Sequence, residues 1–452
     1  VVDDNRQPGA GDSVGTLDDV MTLPRLLKML RVDAGLSLAD LAARIHYSRG
    51  HIHNVEAGKR AAGEDFAGAV DRALAAGGLL VHQWQTEETA RLSQSRITQL
   101  LAASAAGSRD LADMPGLDVD DLGADVADLA VAYLAAPPAP MLSNAHTVRQ
   151  EVVTRLRTHD HRPAERVELY RAAGHLSGIL AYAALDLGHP DIALDHARAA
   201  WRCADFAGDD ELRVWVRGTQ SLIARFQGDY PRALEYVLDG LRHAGAPDAA
   251  ARGGAGRHGA AGGPVGGVAA GRPGGRAGIG GTGLARLLCG QAQCLANLGD
   301  SKGANAALNA AEDAREHLRG VDAMGGLFGF SVAKQRYYAG SSLIWLDGGP
   351  DAVRAAGEAE AAIGLWEQQP AQERSLDDEH LAHIYLATAR VQLGEVEGAL
   401  AAVRPILDLP PEMRISWIVK RMGRLAELLE EPRFAHSGPA RDAAETIRAA
   451  AG

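Results

Sequence analysis

The stretch SLADLAARIHYSRGHIHNVEAGKR, residues 37–60, decides how the front of this chain folds. Leu38, Leu41, Ala42 and Ile45 keep the i, i+3, i+4, i+7 spacing of one helical face. Ser37-Leu38-Ala39-Asp40 reads as a capping box ahead of them, in which the hydroxyl takes one orphan amide and the carboxylate takes another. Ser48 is placed to cap a second short helix that holds Ile52 and Val55, and Gly58 stops it.

The pattern extends on both sides. Leu23, Leu26, Leu27 and Leu30 form a helical stripe, Pro24 suits its first turn and Gly35 ends it. Phe66, Val70, Ala73 and Leu74 make another helix, and Leu79, Leu80 and Trp84 close the set. Residues 22–84 therefore read as a compact all-α domain. Residues 1–21 carry five acids, one base and four glycines or prolines, and read as a disordered tail.

The motif in 37–60 resembles the helix-turn-helix of the XRE family, the phage-repressor type, over about residues 23–82. Ala42 stands where the two helices cross, and Leu41, Ile45, Ile52 and Val55 take buried positions. Ser48-Arg49 matches the opening of the recognition helix, and Glu56-Ala57-Gly58-Lys59-Arg60 matches its exit. His46 occupies a turn where the family prefers Gly, and His tolerates a left-handed backbone better than most residues. Residues 61–66, AAGEDF, depart from the family's Pro-containing loop. The resemblance implies that the second helix enters the major groove of double-stranded DNA. Arg49, His51, His53 and Asn54 would then face bases: arginine can pair bidentately with guanine and asparagine with adenine. Arg44, Ser48, Lys59 and Arg60 would hold phosphates. It also implies a homodimer reading two half-sites. Spacing i, i+2 puts His51 and His53 on different faces, so with His46 they make a poor metal set.

The 452 residues carry 46 bases and 58 acids, a formal charge of −12, which excludes a uniformly basic nucleic-acid coat. Residues 21–80 hold eight bases and six acids, hence +2, so few phosphate contacts and marked salt sensitivity are expected. A hydrophobic fraction of 46% supplies packed cores. No run approaches the roughly 18–20 apolar residues of a membrane span. The acidic start and three cysteines, Cys203, Cys289 and Cys294, fit a cytoplasmic protein with buried thiols.

Residues 85–165 are Ala-rich and read as a helical linker leading into the next part, with APPAP at 136–140 as a stiff spacer or break. From about 166 an internal repeat begins. Gly188/Ala193, Gly228/Ala233, Gly299/Ala304 and Gly394/Ala399 each place Ala five residues after Gly, in the texts LGHPDIAL, QGDYPRAL, LGDSKGAN and LGEVEGAL; LDGGPDAV at 346–353 is a variant. Glycine reverses the chain at a helix end, and alanine lets two helices approach. The pattern resembles tetratricopeptide repeats over residues 166–250 and 284–452, with a terminal cap. The step from Gly228 to Gly299 is long, and one unit is expected to be hidden there. Residues 251–283 contain 15 Gly in 33 positions. A flexible linker, a basic disordered arm and a local reading-frame error all remain open for this segment.

The expected fold class is all-α, a small N-terminal helix-turn-helix bundle followed by a C-terminal α-solenoid of helical hairpins. The concave face of such an array is lined by the first helix of each pair. By repeat position it includes His175, Tyr182, Arg225, Arg286, Gln293, Asn297, Thr388 and Gln392, polar groups suited to a peptide or protein ligand. Trp201, Trp215, Trp345, Trp366 and Trp417 read as core. Asp377 and Asp378 follow Ser375 and read as a helix start rather than an acid–base pair. The glycines at 254, 256 and 259 match a dinucleotide fingerprint only formally, without a preceding strand. No nucleotide-binding loop or hydrolase motif occurs, so no enzymatic activity and no cofactor are expected. The whole reads as a sequence-specific transcriptional regulator with a sensing array, similar to regulators of high-GC bacteria. A scaffold or antitoxin-like adaptor is the alternative.

Overall fold

The computed structural model describes residues 21–112, 123–158, 161–245, 281–318, 320–346, 349–370 and 374–451. The tail at 1–20 and residues 246–280, on which the frame-error and linker readings fall, lie outside them. Every regular element among the described residues is a helix. The chain divides into two compact units, one up to Gln99 and one from Leu100 onward.

The first unit packs α1 (Leu23–Asp33), α2 (Leu38–Ile45), α3 (Arg49–Glu56), α4 (Glu64–Leu74) and the beginning of α5 (Leu79–Ala112). Its core holds Leu23, Leu26, Leu27, Leu41, Ile45, Ile52, Val55, Phe66, Val70 and Leu80, and Ala42 packs half-buried against them. The caps form as the sequence requires. Ser37 and Asp40 make a reciprocal capping box, and Ser48 accepts from the His51 amide at 3.1 Å. His46 is left-handed at φ 56°. Asp71 accepts from the amides of Gly78 and Leu80 at 2.8 and 2.9 Å and so satisfies the start of α5. The Trp84 indole donates to the Ala62 carbonyl at 3.0 Å and closes the bundle. α5 does not stop there: it continues to Ala112, so residue 84 is no helix boundary.

Among its described residues, the second unit contains the end of α5, then α6 (Gly123–Ala132), α7 (Pro138–Thr158) and six helical hairpins. These pair α8 (Pro163–Asp186) with α9 (Pro190–Ala207), α10 (Asp210–Phe226) with α11 (Tyr230–His243), and α12 (Gly283–Asn297) with α13 (Ser301–Glu316). The remaining pairs are α14 (Val332–Leu343) with α15 (Gly349–Glu367), α16 (Leu376–Gln392) with α17 (Val396–Leu407), and α18 (Ser416–Leu429) with α19 (Gly438–Ala451). Consecutive hairpins stack. Pro138 opens α7, so the proline cluster is a helix start as well as a break.

The repeat glycines are left-handed, with φ 82° at Gly188, 80° at Gly228, 81° at Gly299 and 83° at Gly394. Each is followed by an amide that reaches back to the helix it ends; Asp229 N–H, for example, donates to the Ala224 carbonyl at 2.9 Å. The paired alanines are buried at the crossing of the two helices. The unit expected between Gly228 and Gly299 falls on residues 246–280, outside the described residues; on either side of them, α10 and α11 pack on α12.

The end of the array returns to its beginning. Ser416 Oγ donates to the Leu185 carbonyl at 2.7 Å, the Lys420 ammonium donates to the Phe226 carbonyl, and the Trp417 and Phe226 rings meet edge-on at 4.9 Å. At the other end, Arg149 is fully buried and donates to Ser108 and to the Ser104 carbonyl beside His196. This network ties the last turns of α5 to α7 and α9. Cys203, Cys289 and Cys294 are free and buried, and burial pushes the Cys203 and Cys289 thiols up to about 12.

Candidate functional site

The first unit presents α3 with two opposite faces. Ile52 and Val55, three apart, are fully buried. Arg49, Gly50, His53 and Asn54 stand at i, i+1, i+4 and i+5 and are all exposed. Ser48 at the cap, Arg44 at the end of α2, and Lys59 and Arg60 in the exit turn are exposed as well. The amides of Lys59 and Arg60 both donate to the Asn54 carbonyl, at 2.8 and 3.1 Å, which fixes the exit turn beside the exposed face.

His51 does not belong to that face. Its ring packs against Phe66 and Tyr47 at centroid distances of 4.9 and 5.1 Å. Burial, with Arg60 nearby, lowers its pKa, and its Nε2 is buried without a partner. The aromatic contacts come from the turn before α3 and from α4, so the ring is drawn inward and Gly50 takes the exposed place.

The orientation of α3 is held by a pair that sequence reasoning passed over. The Arg31 guanidinium donates to both Glu56 carboxylate oxygens at 2.6 and 2.9 Å, and to the Leu36 carbonyl at 2.7 Å. The side chains are 12% and 6% exposed. This bidentate clamp joins the end of α1, the turn before α2 and the end of α3.

The second unit contains a cavity on the inner face of the hairpin array, with about 970 Å³ of empty space counting its open mouth. Tyr182, Arg225, Arg286, Gln293 and Asn297 line it together. His175, Thr388 and Gln392 do not. The His175 ring lies edge-on to Phe328 at 4.5 Å, and burial lowers its pKa to about 4. The Thr388 hydroxyl donates back to the Ile384 carbonyl at 2.8 Å, and the Gln392 amide donates to the Ile344 carbonyl at 2.7 Å. These three hold the array together. Among the tryptophans, Trp215, Trp366 and Trp417 are core, Trp417 also borders the cavity, and Trp345 borders it half-buried.

Arg286 donates to the Trp215 carbonyl at 2.6 Å, the Tyr182 hydroxyl at 2.8 Å and Thr219 at 3.1 Å. Gly218 makes room for it, since a Cβ there would lie 2.7 Å from the guanidinium. The acid pole of the cavity was not visible in the sequence. Asp377 and Asp378 do open a helix, yet both line the cavity with Asp186. Ser375 donates to Asp378 at 2.7 Å and Lys334 lies 3.5 Å from it. The Tyr133 hydroxyl donates to Asp186, whose pKa burial pushes up to about 7. Burial, then Asp186 and Asp378, raise Asp377.

Among the described residues, no helix is long and apolar enough to cross a membrane. No curated protein matches the chain. A family model described as a helix-turn-helix domain matches residues 23–84, the span of α1 to α4 and the start of α5, and a domain of this kind points to a DNA-binding regulator.

Proposed function

We propose that the chain is a sequence-specific transcriptional regulator, without enzymatic activity, that binds double-stranded DNA as a homodimer through α3 and senses a peptide or protein ligand with its hairpin array. The observation that carries the DNA reading is the exposed face of Arg49, Gly50, His53 and Asn54, set opposite a locked core face and framed by Lys59 and Arg60. Arg49 and Asn54 have the donor and acceptor geometry for guanine and adenine edges. Arg44, Ser48, Lys59 and Arg60 supply phosphate contacts. Ligand binding would act by favouring one arrangement of the array over another.

Selection of bound sites from random duplex DNA with the full chain tests this reading. The expected product is a site with two related half-sites about 34–36 Å apart, or a multiple of that. Arg49→Ala should cost ~1–3 kcal/mol and relax preference at a single base position. Failure to enrich any site at low salt would remove the regulator reading. Protein capture that survives loss of residues 1–85 would then favour the adaptor.

A further inference from the structure

The cavity of the second unit carries an imbalance that its own side chains leave unresolved. Arg225 and Arg286 are 8% and 6% exposed and both line the cavity with Arg421. Among the described residues, no carboxylate pairs with any of the three. Arg225 faces the Tyr338 ring at 5.7 Å and bonds to that neutral side chain, and its Nε has no hydrogen-bond partner. The Gln293 Oε1, in the same wall, is likewise buried and unpartnered. Asp186 and Asp377 line the same cavity and lie near enough to disturb each other electrostatically. Among the described residues, Asp186 takes a hydrogen bond from the neutral Tyr133 hydroxyl alone, and Lys334, 3.5 Å from Asp378, is shared between Asp378 and Asp377.

A buried guanidinium without an anion, sharing a cavity with the buried Asp186 and the half-buried Asp377, for which a single shared ammonium is at hand, is costly in the empty protein. One molecule carrying both missing charges relieves both. The walls between the poles are the rings of Tyr182 and Tyr338, which suit a flat or apolar body. The contacts of α18 with the ends of α8 and α10 narrow the inner face, which favours a compact ligand.

We propose that this cavity binds a compact zwitterion, an amino acid or short peptide with both ends free, whose anionic group sits on Arg225, Arg286 and Arg421 and whose ammonium group sits between Asp186 and Asp377. The proposal rests on reading the array as the sensing part of the regulator and narrows its ligand. It makes no use of DNA binding.

The test uses the full chain in the absence of DNA, so its outcome is separate from site selection. Thermal melting is followed with the twenty free amino acids and a library of unblocked dipeptides, then titration calorimetry with the best of them. At least one free zwitterion should raise the melting temperature by several degrees. Its N-acetylated and C-amidated forms should each bind at least tenfold more weakly. Arg225→Gln and Asp377→Asn should each weaken binding tenfold or more, and Arg421→Gln, at a half-buried position, provides the same readout should Arg225→Gln not fold. No melting shift from any member of the set would overturn the proposal. So would equal binding of the blocked forms, undiminished binding in the folded variants, or binding of ten-residue peptides alone.

Discussion

At the scale of single residues, the recognition surface depends as much on what holds α3 as on what it displays. Arg31 and Glu56 form a nearly dry bidentate pair. Removing one partner strands the other, and the usual cost of that is about 3–5 kcal/mol. Arg31→Met is therefore expected to destabilise the first unit by roughly that range, read as faster hydrogen exchange of α1–α3 amides in the full chain. The double variant with Glu56→Leu should recover part of the loss. Gly50 offers the opposite case. It sits inside a helix with nothing within 4 Å of a built Cβ, so Gly50→Ala should add about 0.5–1 kcal/mol to the same unit. A simultaneous loss of DNA affinity would show that the bare backbone touches the duplex. The sequence displayed the apolar positions Leu41, Ile45, Ile52 and Val55, because helical spacing is local. It did not reveal the inward turn of His51 or the Arg31 clamp, because both are set by partners far along the chain.

At the scale of helices, the repeating Gly–Ala text proved readable because it has one mechanical meaning, a left-handed residue at the end of one helix and a buried methyl at the start of the next. Gly228 has no neighbour within 4 Å of a built Cβ, so Gly228→Ala tests the backbone term alone. It should lower the stability of the second unit by ~1–2 kcal/mol, measured by urea unfolding. Spacing alone cannot tell an insertion from an eroded repeat between Gly228 and Gly299, since both lengthen the interval between two signals. The acidic start of α16 misled for a related reason. Carboxylates in a first turn satisfy a helix terminus wherever it lies, and only the curvature of the array brings Asp377 beside Asp186.

At the scale of the molecule, charge and closure matter together. The chain is acidic overall, while its first unit is nearly neutral, so affinity for DNA should fall with salt along a shallow slope, about 0.9 per phosphate contact on logarithmic axes. The buried ionisable groups give the second unit opposing pH responses. His175 and His380, each lowered to about 4 by burial, favour the folded state above their unfolded pKa near 6.5, and that support fades as the pH falls toward 4. Asp186 works the other way. Its folded value is raised, so its protonated form is favoured on folding and stability declines as the pH climbs from 4 through about 7. Asp186→Asn mimics the protonated form. Melting curves from pH 5 to pH 8 should show the variant gaining on the wild type as the pH rises, and a difference independent of pH would contradict the burial of that carboxylate.

The bond from Ser416 to the Leu185 carbonyl joins residues 231 apart in the chain, and this seam changes the kind of object the array is. A row of stacked units open at both ends can fray inward one unit at a time, and its length can drift by duplication. A row whose tail is stitched to its head has neither freedom. Unzipping from the tail must first break the stitch, and gaining or losing one hairpin misaligns it, so the number of hairpins is set by geometry and the ring should melt as a single cooperative block.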